Sequence, residues 1–142
     1  MATENTHRTI TVERVAAGRY EAVNSRGGRI VFGKGGDEDF TPTELLLVAI
    51  GGCTAIDIDI ITTRRAEPEL FEIIVDADKV YEDGRNHLTN MQTTYRLRFP
   101  AGEAGDKARA VLPDAIQQSR DRLCTVGRTV EEVSPIGSRI ES

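Results

Sequence analysis

Two cysteines are the residues in this 142-residue chain best suited to chemistry. Cys53 follows Gly51-Gly52, and Cys124 opens the stretch Cys124-Thr125-Val126-Gly127-Arg128-Thr129. The thiolate is the nucleophile, so a reactive cysteine needs a nearby group that favours the charged form. The sequence predicts a helix around Cys53, and its local charges work against that need. Cys53 stands about 12 residues from the predicted helix start, ~18 Å along the axis, beyond the reach of the helix dipole. Asp57 lies one turn further on the same face, where a negative charge raises the thiol pKa. A stabilising cation therefore has to come from another element, and the candidates are Arg19, Arg26, Arg29, Arg122 and Arg128. Without one, both cysteines read as small buried hydrophobes.

Other constellations offer less. There is no CxxC pair, which removes a thioredoxin-type motif and a zinc knuckle. His7 falls in a polar N-terminal stretch and His87 in a turn, so neither a metal site nor a Cys-His dyad is expected. The pairs Asp57/Asp59 and Asp76/Asp78 read as solvated or structural charges. Gly33 to Asp39 is a glycine-rich acidic loop. It lacks the Lys-Ser/Thr ending of a phosphate loop, so no nucleotide cofactor is implied.

The elements that must position the cysteines follow from periodicity. Residues 8 to 33 read as a β-meander of three short strands, around Thr9–Arg14, Arg19–Ser25 and Arg29–Phe32, punctuated by Gly18 and Gly27-Gly28. Thr41, Pro42 and Glu44 form a capping box that starts a helix. The run Leu45 to Ile50 is apolar on all sides, which predicts burial on most faces. Arg64 and Arg65 suit its last turn and Pro68 stops it, giving about 23 residues and ~35 Å. Gly51-Gly52 costs this helix ~2 kcal/mol relative to alanine, so a close neighbour or a ligand beside the thiol is expected there. Two alternating strands follow, Phe71–Asp78 and Met91–Phe99, joined by a turn over Glu82–Asn86. Ala108, Val111, Leu112, Ala115, Ile116, Ser119 and Leu123 mark one face of a second helix, which Pro113 should kink or split. A last strand is expected over Thr129–Val133. The order βββ-α-ββ-α-β predicts an α+β fold with a mainly antiparallel sheet and two helices.

Composition frames this reading. Hydrophobic residues make up 39% and charged residues 29%, the balance of a folded globular chain. The length suits a single domain, 1–142. The formal net charge of −5 disfavours nucleic acid and anionic membranes as partners. No uninterrupted apolar run of about 18 residues stands out, and Met1–Thr11 has no apolar signal core, so a cytoplasmic protein with no membrane partner is expected.

The stretch Thr41-Pro42-Thr43-Glu44-Leu45-Leu46-Leu47-Val48-Ala49-Ile50-Gly51-Gly52-Cys53-Thr54-Ala55-Ile56-Asp57, paired with Cys124-Thr125-Val126-Gly127-Arg128-Thr129, resembles the OsmC/Ohr family. The element order extends the resemblance over nearly the whole chain. The resemblance implies an intertwined homodimer with long central helices and two active sites at the subunit interface. It implies a cysteine-based peroxidase that acts on organic hydroperoxides or hydrogen peroxide, in which Cys53 is peroxidatic and Cys124 resolving. A dithiol reductant then reduces the disulfide, and no metal or other cofactor takes part. Arg19, in Ala17-Gly18-Arg19, matches the arginine that stabilises the thiolate. Peroxidase members carry a glutamate directly after the proline, where this chain has Thr43. Glu44 stands one residue on, both a capping-box residue and the candidate site carboxylate. A non-catalytic stress-response dimer that binds a small thiol or apolar ligand is the alternative function, and a structural stress protein with inert cysteines is a third.

Overall fold

The computed structural model describes residues 6–132 and 135–141. The chain divides into two compact units, Met1–Leu46 and Leu47–Ser142. In the first, β1 (Ile10–Ala16), β2 (Arg19–Asn24) and β3 (Arg29–Gly33) form an antiparallel sheet in the order β1-β2-β3. Gly18 makes the first turn with φ +70°, and a bulge between Arg14 and Ala16 twists the edge strand. The Asn24 side chain builds the second turn, accepting from the Arg26 and Gly28 N–H groups at 3.0 and 2.9 Å. Tyr20 and Phe32 stack across β2 and β3 with ring centroids 5.7 Å apart. The acidic loop is tied back at its end, where Gly33 N–H donates to Phe40 O at 2.9 Å.

The capping box forms as the residue types dictate. Glu44 N–H donates to Thr41 Oγ1 at 3.2 Å, and Thr41 N–H donates to Glu44 Oε1 at 2.9 Å. Helix α1 runs from Pro42 to Thr63. At its far end the Arg65 guanidinium donates to Ile61 O at 2.8 Å, satisfying a carbonyl without a helical partner. The buried residues of α1 are Gly51, Thr54, Ile58 and Thr62, a single stripe at helical spacing. The expectation of burial on most faces is corrected within the chain: Val48, Ile56 and Ile60 are 52%, 63% and 51% exposed. By length and composition alone α1 is long and apolar enough to cross a membrane. Core helices of soluble proteins also meet that test.

In the second unit, β4 (Leu70–Glu82) and β5 (Arg85–Arg98) form a long antiparallel hairpin, longer than the alternating runs alone indicate. Its turn is Asp83-Gly84, both with positive φ (51° and 74°), the two-residue geometry whose twist matches paired strands. A bulge between Asp76 and Asp78 shifts the register, and Asn90 Nδ2 donates to Asp78 Oδ2 at 3.2 Å beside it. Antiparallel strands thus form two sheets within the chain.

Helix α2 (Glu103–Gln118) continues through Pro113 instead of splitting there. It passes into a π-helical turn, Ser119–Leu123, closed by Cys124 N–H donating to Ser119 O at 2.8 Å. Ala108, Ala115 and Ser119 are almost wholly buried along this path. The final strand does not form. Thr125–Glu131 is a third helix, α3, and Val133 lies outside the described residues, as do 1–5 of the polar N-terminal stretch. The β-branched Thr129 and Val130 favour a strand locally. Here Cys124 caps the start of α3, its Sγ accepting from the Gly127 N–H, and Thr129 Oγ1 donates to Thr125 O at 2.7 Å, so local capping overrides propensity.

Candidate thiol site

The double glycine before Cys53 divides into two different residues. A Cβ on Gly51 would stand 2.8 Å from Val75 Cγ2 on β4, so only glycine lets α1 approach the hairpin this closely. A Cβ on Gly52 would meet nothing within 4 Å. The close neighbour expected beside Cys53 is thus β4, acting through one glycine.

Cys53 is half-buried and Cys124 is buried, and both are free thiols. Although far apart in sequence, the two thiols lie close enough to influence each other, and the backbone N–H of Val126 favours the Cys53 thiolate. Cys124 Sγ accepts from Gly127 N–H at 3.2 Å. The first turn of α3 therefore presents backbone N–H groups to both sulfurs, groups that have no partner inside a helix. The π turn delivers Cys124 to this point, in an extended conformation (φ −78°, ψ 98°).

Burial pushes the Cys53 thiol up from its ordinary value. The neighbouring Cys124 and the Asp57 carboxylate push it the same way, and the Val126 N–H opposes them. The adverse effect of Asp57 expected from helical spacing is thus present. Asp57 is also a structural link, since Ser119 Oγ donates to its Oδ2 at 2.7 Å and joins α1 to the π turn. Sequence reasoning placed Ser119 on a helical face and Val126 in the Cys124 stretch but gave neither a role at the thiols, and it did not anticipate the π turn. The only sequence signal for Ser119 is a polar residue at a core position of an apolar helical face.

A cleft of about 530 Å³ opens in this unit. Its walls include Cys124, Arg120, Glu131, Thr54, Met91 and Tyr95, whereas Cys53 does not line it. Arg120 makes no ion pair among the described residues, and a volume of this size accommodates a small molecule. Among the described residues, no group of three or more His, Cys, Asp or Glu side chains could hold a metal ion.

Of the other candidates, Arg122 and Arg128 lie in the second unit, where Arg128 pairs with Glu132 at 3.1 Å, and Arg19, Arg26, Arg29 and Glu44 lie in the first. Arg19 Nε stands 3.3 Å from Asp39 Oδ2, and Arg29 pairs with Glu21. Glu44 is engaged in the capping box. Cys53 and Cys124 are the pair whose association the structure describes directly.

A profile of the OsmC-like protein family matches residues 35–138, a span that includes both cysteines. An uncharacterized protein of Mycobacterium tuberculosis is 25% identical over 130 residues, covering 91% of this chain and 93% of that protein. The OsmC-like protein from Mycoplasma pneumoniae superposes with a TM-score of 0.69 at 15% identity, over 92% of this chain and 91% of its own. An OsmC-like hydroperoxide resistance protein from Jannaschia superposes with a TM-score of 0.50 at 15% identity, over 94% and 91%. The α+β architecture, the matched span and the shared fold agree, and the chain belongs to the OsmC-like protein family.

Proposed function

We propose that this protein is a thiol-dependent peroxidase that reduces organic hydroperoxides or hydrogen peroxide through Cys53 and Cys124. The observation that carries the reading is the proximity of the two thiols, which stand 71 positions apart in sequence. In this reaction the Cys53 thiolate attacks a peroxide oxygen and the O–O bond breaks. The leaving oxygen takes a proton and departs as alcohol or water, leaving Cys53 as a sulfenic acid. The Cys124 thiolate then attacks that sulfur and displaces water, and the resulting disulfide is reduced by a dithiol. Family membership and the hydroperoxide resistance name of the Jannaschia protein support the reading.

Arg19 is the proposed thiolate-stabilising cation, with Glu44 the nearest carboxylate to the position where peroxidase members carry glutamate and this chain has Thr43. The proposed assembly is a cytoplasmic homodimer of a single domain, in which a second copy covers the exposed apolar flank of α1 at Val48, Ile56 and Ile60.

The test is a thiol count after mixing reduced protein with cumene hydroperoxide. Wild type is expected to lose both thiols within minutes, and Cys53→Ser neither loses its remaining thiol nor consumes peroxide. Retention of both thiols in the wild type overturns the proposal. A second reading, a non-catalytic dimer that binds a small thiol or apolar ligand, draws support from the raised proton affinity of Cys53 and from the cleft beside Cys124.

A further inference from the structure

We propose that Ser119 is a positioning residue for the thiol pair: its carbonyl holds Cys124, its hydroxyl holds α1 one turn beyond Cys53, and the two sulfurs are thereby kept in register to close into a disulfide. The proposal rests on the peroxidase reading for its place in a cycle and concerns how the resolving cysteine is kept within reach of the peroxidatic one.

All three polar groups of Ser119 are committed, to three different parts of the second unit. Its N–H donates to the Ala115 and Ile116 carbonyls at the end of α2. Its carbonyl accepts from the Cys124 N–H at 2.8 Å, which closes the π turn. Its Oγ donates to Asp57 Oδ2 on α1 at 2.7 Å. Asp57 stands four residues after Cys53, on the same helical face. One fully buried residue thus ties the segment that carries one thiol to the helix that carries the other.

The choice of acceptor sets Ser119 apart. The buried polar side chains among the described residues are Thr54, Thr62 and Ser119. Thr54 and Thr62 donate to the carbonyl four residues back, Ile50 O at 3.1 Å and Ile58 O at 2.8 Å, the usual recourse of a hydroxyl inside a helix. Ser119 donates instead to a carboxylate 62 positions away in sequence. A bond to an ionised acceptor is shorter and stronger than one between neutral groups. The widened turn is where the chain would otherwise relax, and it is braced on both sides. Gln117 Nε2 donates to Asp121 Oδ2 at 2.8 Å on the exposed side, and Ser119 holds Asp57 on the other. Asp57 also disfavours the Cys53 thiolate, so its charge does not serve reactivity there. Anchoring Ser119 is the contribution that offsets this.

Closing the disulfide removes one proton and one electron from each thiol and forms the S–S bond. With glutathione disulfide as the oxidant, two molecules of glutathione thiol are released. The position of this equilibrium measures the effective concentration of one protein thiol at the other. A pair held in place before closure gives up less freedom on closing, so breaking the Ser119–Asp57 bond lowers that concentration. A bond that only supports the fold stabilises reduced and oxidised protein alike and leaves the equilibrium unchanged.

The experiment equilibrates the full chain in glutathione buffers of stepped redox ratio at neutral pH. Samples are quenched in acid and blocked with N-ethylmaleimide, and the fraction of Cys53–Cys124 disulfide is read by mass spectrometry. Ser119→Ala is expected to lower the effective concentration roughly three- to ten-fold. Asp57→Ala, which removes the acceptor, should lower it by a similar factor, whereas Asp57→Asn keeps a carbonyl acceptor and should stay within about two-fold of wild type. Adding Ser119→Ala to Asp57→Ala should change nothing further, because both break one bond. An unchanged equilibrium in Ser119→Ala, an equal loss in Asp57→Ala and Asp57→Asn, an additive loss in the double variant, or no disulfide in the wild type overturns the proposal. If Ser119→Ala does not fold, the two Asp57 variants decide. No peroxide is used, so the closure equilibrium stands even if peroxide turnover fails, and an unchanged equilibrium in a protein that still consumes peroxide removes Ser119 and leaves the peroxidase reading intact.

Discussion

The surroundings of Cys53 and of Cys124 solve opposite problems. Cys53 sits in a regular helix, whose own backbone N–H groups are committed to the helical ladder and whose Asp57 disfavours the thiolate. Cys124 sits where regular structure ends, after an i to i+5 turn and before a new helix whose first N–H groups are unspent. The regular element supplies rigidity and the irregular one supplies hydrogen-bond donors. Val126 and Gly127 lend those donors to both sulfurs, so the helix that holds Cys53 depends on the junction for the one local interaction that favours its thiolate.

The largest expected effect comes from breaking the regular side. Gly51→Leu drives a side chain into Val75 on β4, and overpacking of this kind should destabilise the protein by about 2–3 kcal/mol, read as a shift in the urea midpoint. Gly52→Ala is the control. Open space at its Cβ and better helix propensity predict a gain of roughly 0.5–1 kcal/mol in the same measurement. A loss there instead would place a second chain against Gly52.

Next in size is the link between the two regions. Ser119→Ala removes the donor to Asp57 from a fully buried position and should cost about 1–3 kcal/mol in the same unfolding experiment. An unchanged midpoint would mean that the α1 to π-turn bond contributes nothing to stability.

The smallest effect is electrostatic and confined to Cys53. Asp57→Asn removes a negative charge that disfavours the thiolate, so the thiol pKa should fall. The rate of Cys53 alkylation by iodoacetamide at neutral pH, in a Cys124→Ser background, should then rise. The pH profile should move to lower pH. A shift to higher pH would show that Asp57 acts by orienting Ser119 and not by its charge.

Much of this was legible in the residues. The capping box of Thr41 and Glu44, the three-stranded meander, the β4–β5 pairing and both cysteine contexts all follow from local spacing, because capping, period-2 alternation and helical periodicity are short-range effects. The replacement of the last strand by α3 was not legible. Neither were the continuity of α2 through Pro113, the π turn or the bond from Ser119 to Asp57. Each depends on what the segment packs against. A proline is tolerated when neighbouring packing holds the helix together, and a β-branched run becomes helical when its cap is in place.

By itself the sequence determined the α+β class, the long capped helix and the two thiols with Asp57 one turn beyond the first. These are properties of neighbours along the chain, where a few residues set the backbone and the charge. Only the tertiary structure decided that Cys124 meets Cys53, that Gly51 and not Gly52 is the close-packed glycine, and that the cleft opens on Cys124. Those facts depend on contacts between residues far apart in sequence, which form only when the second unit closes its core and which no local periodicity encodes.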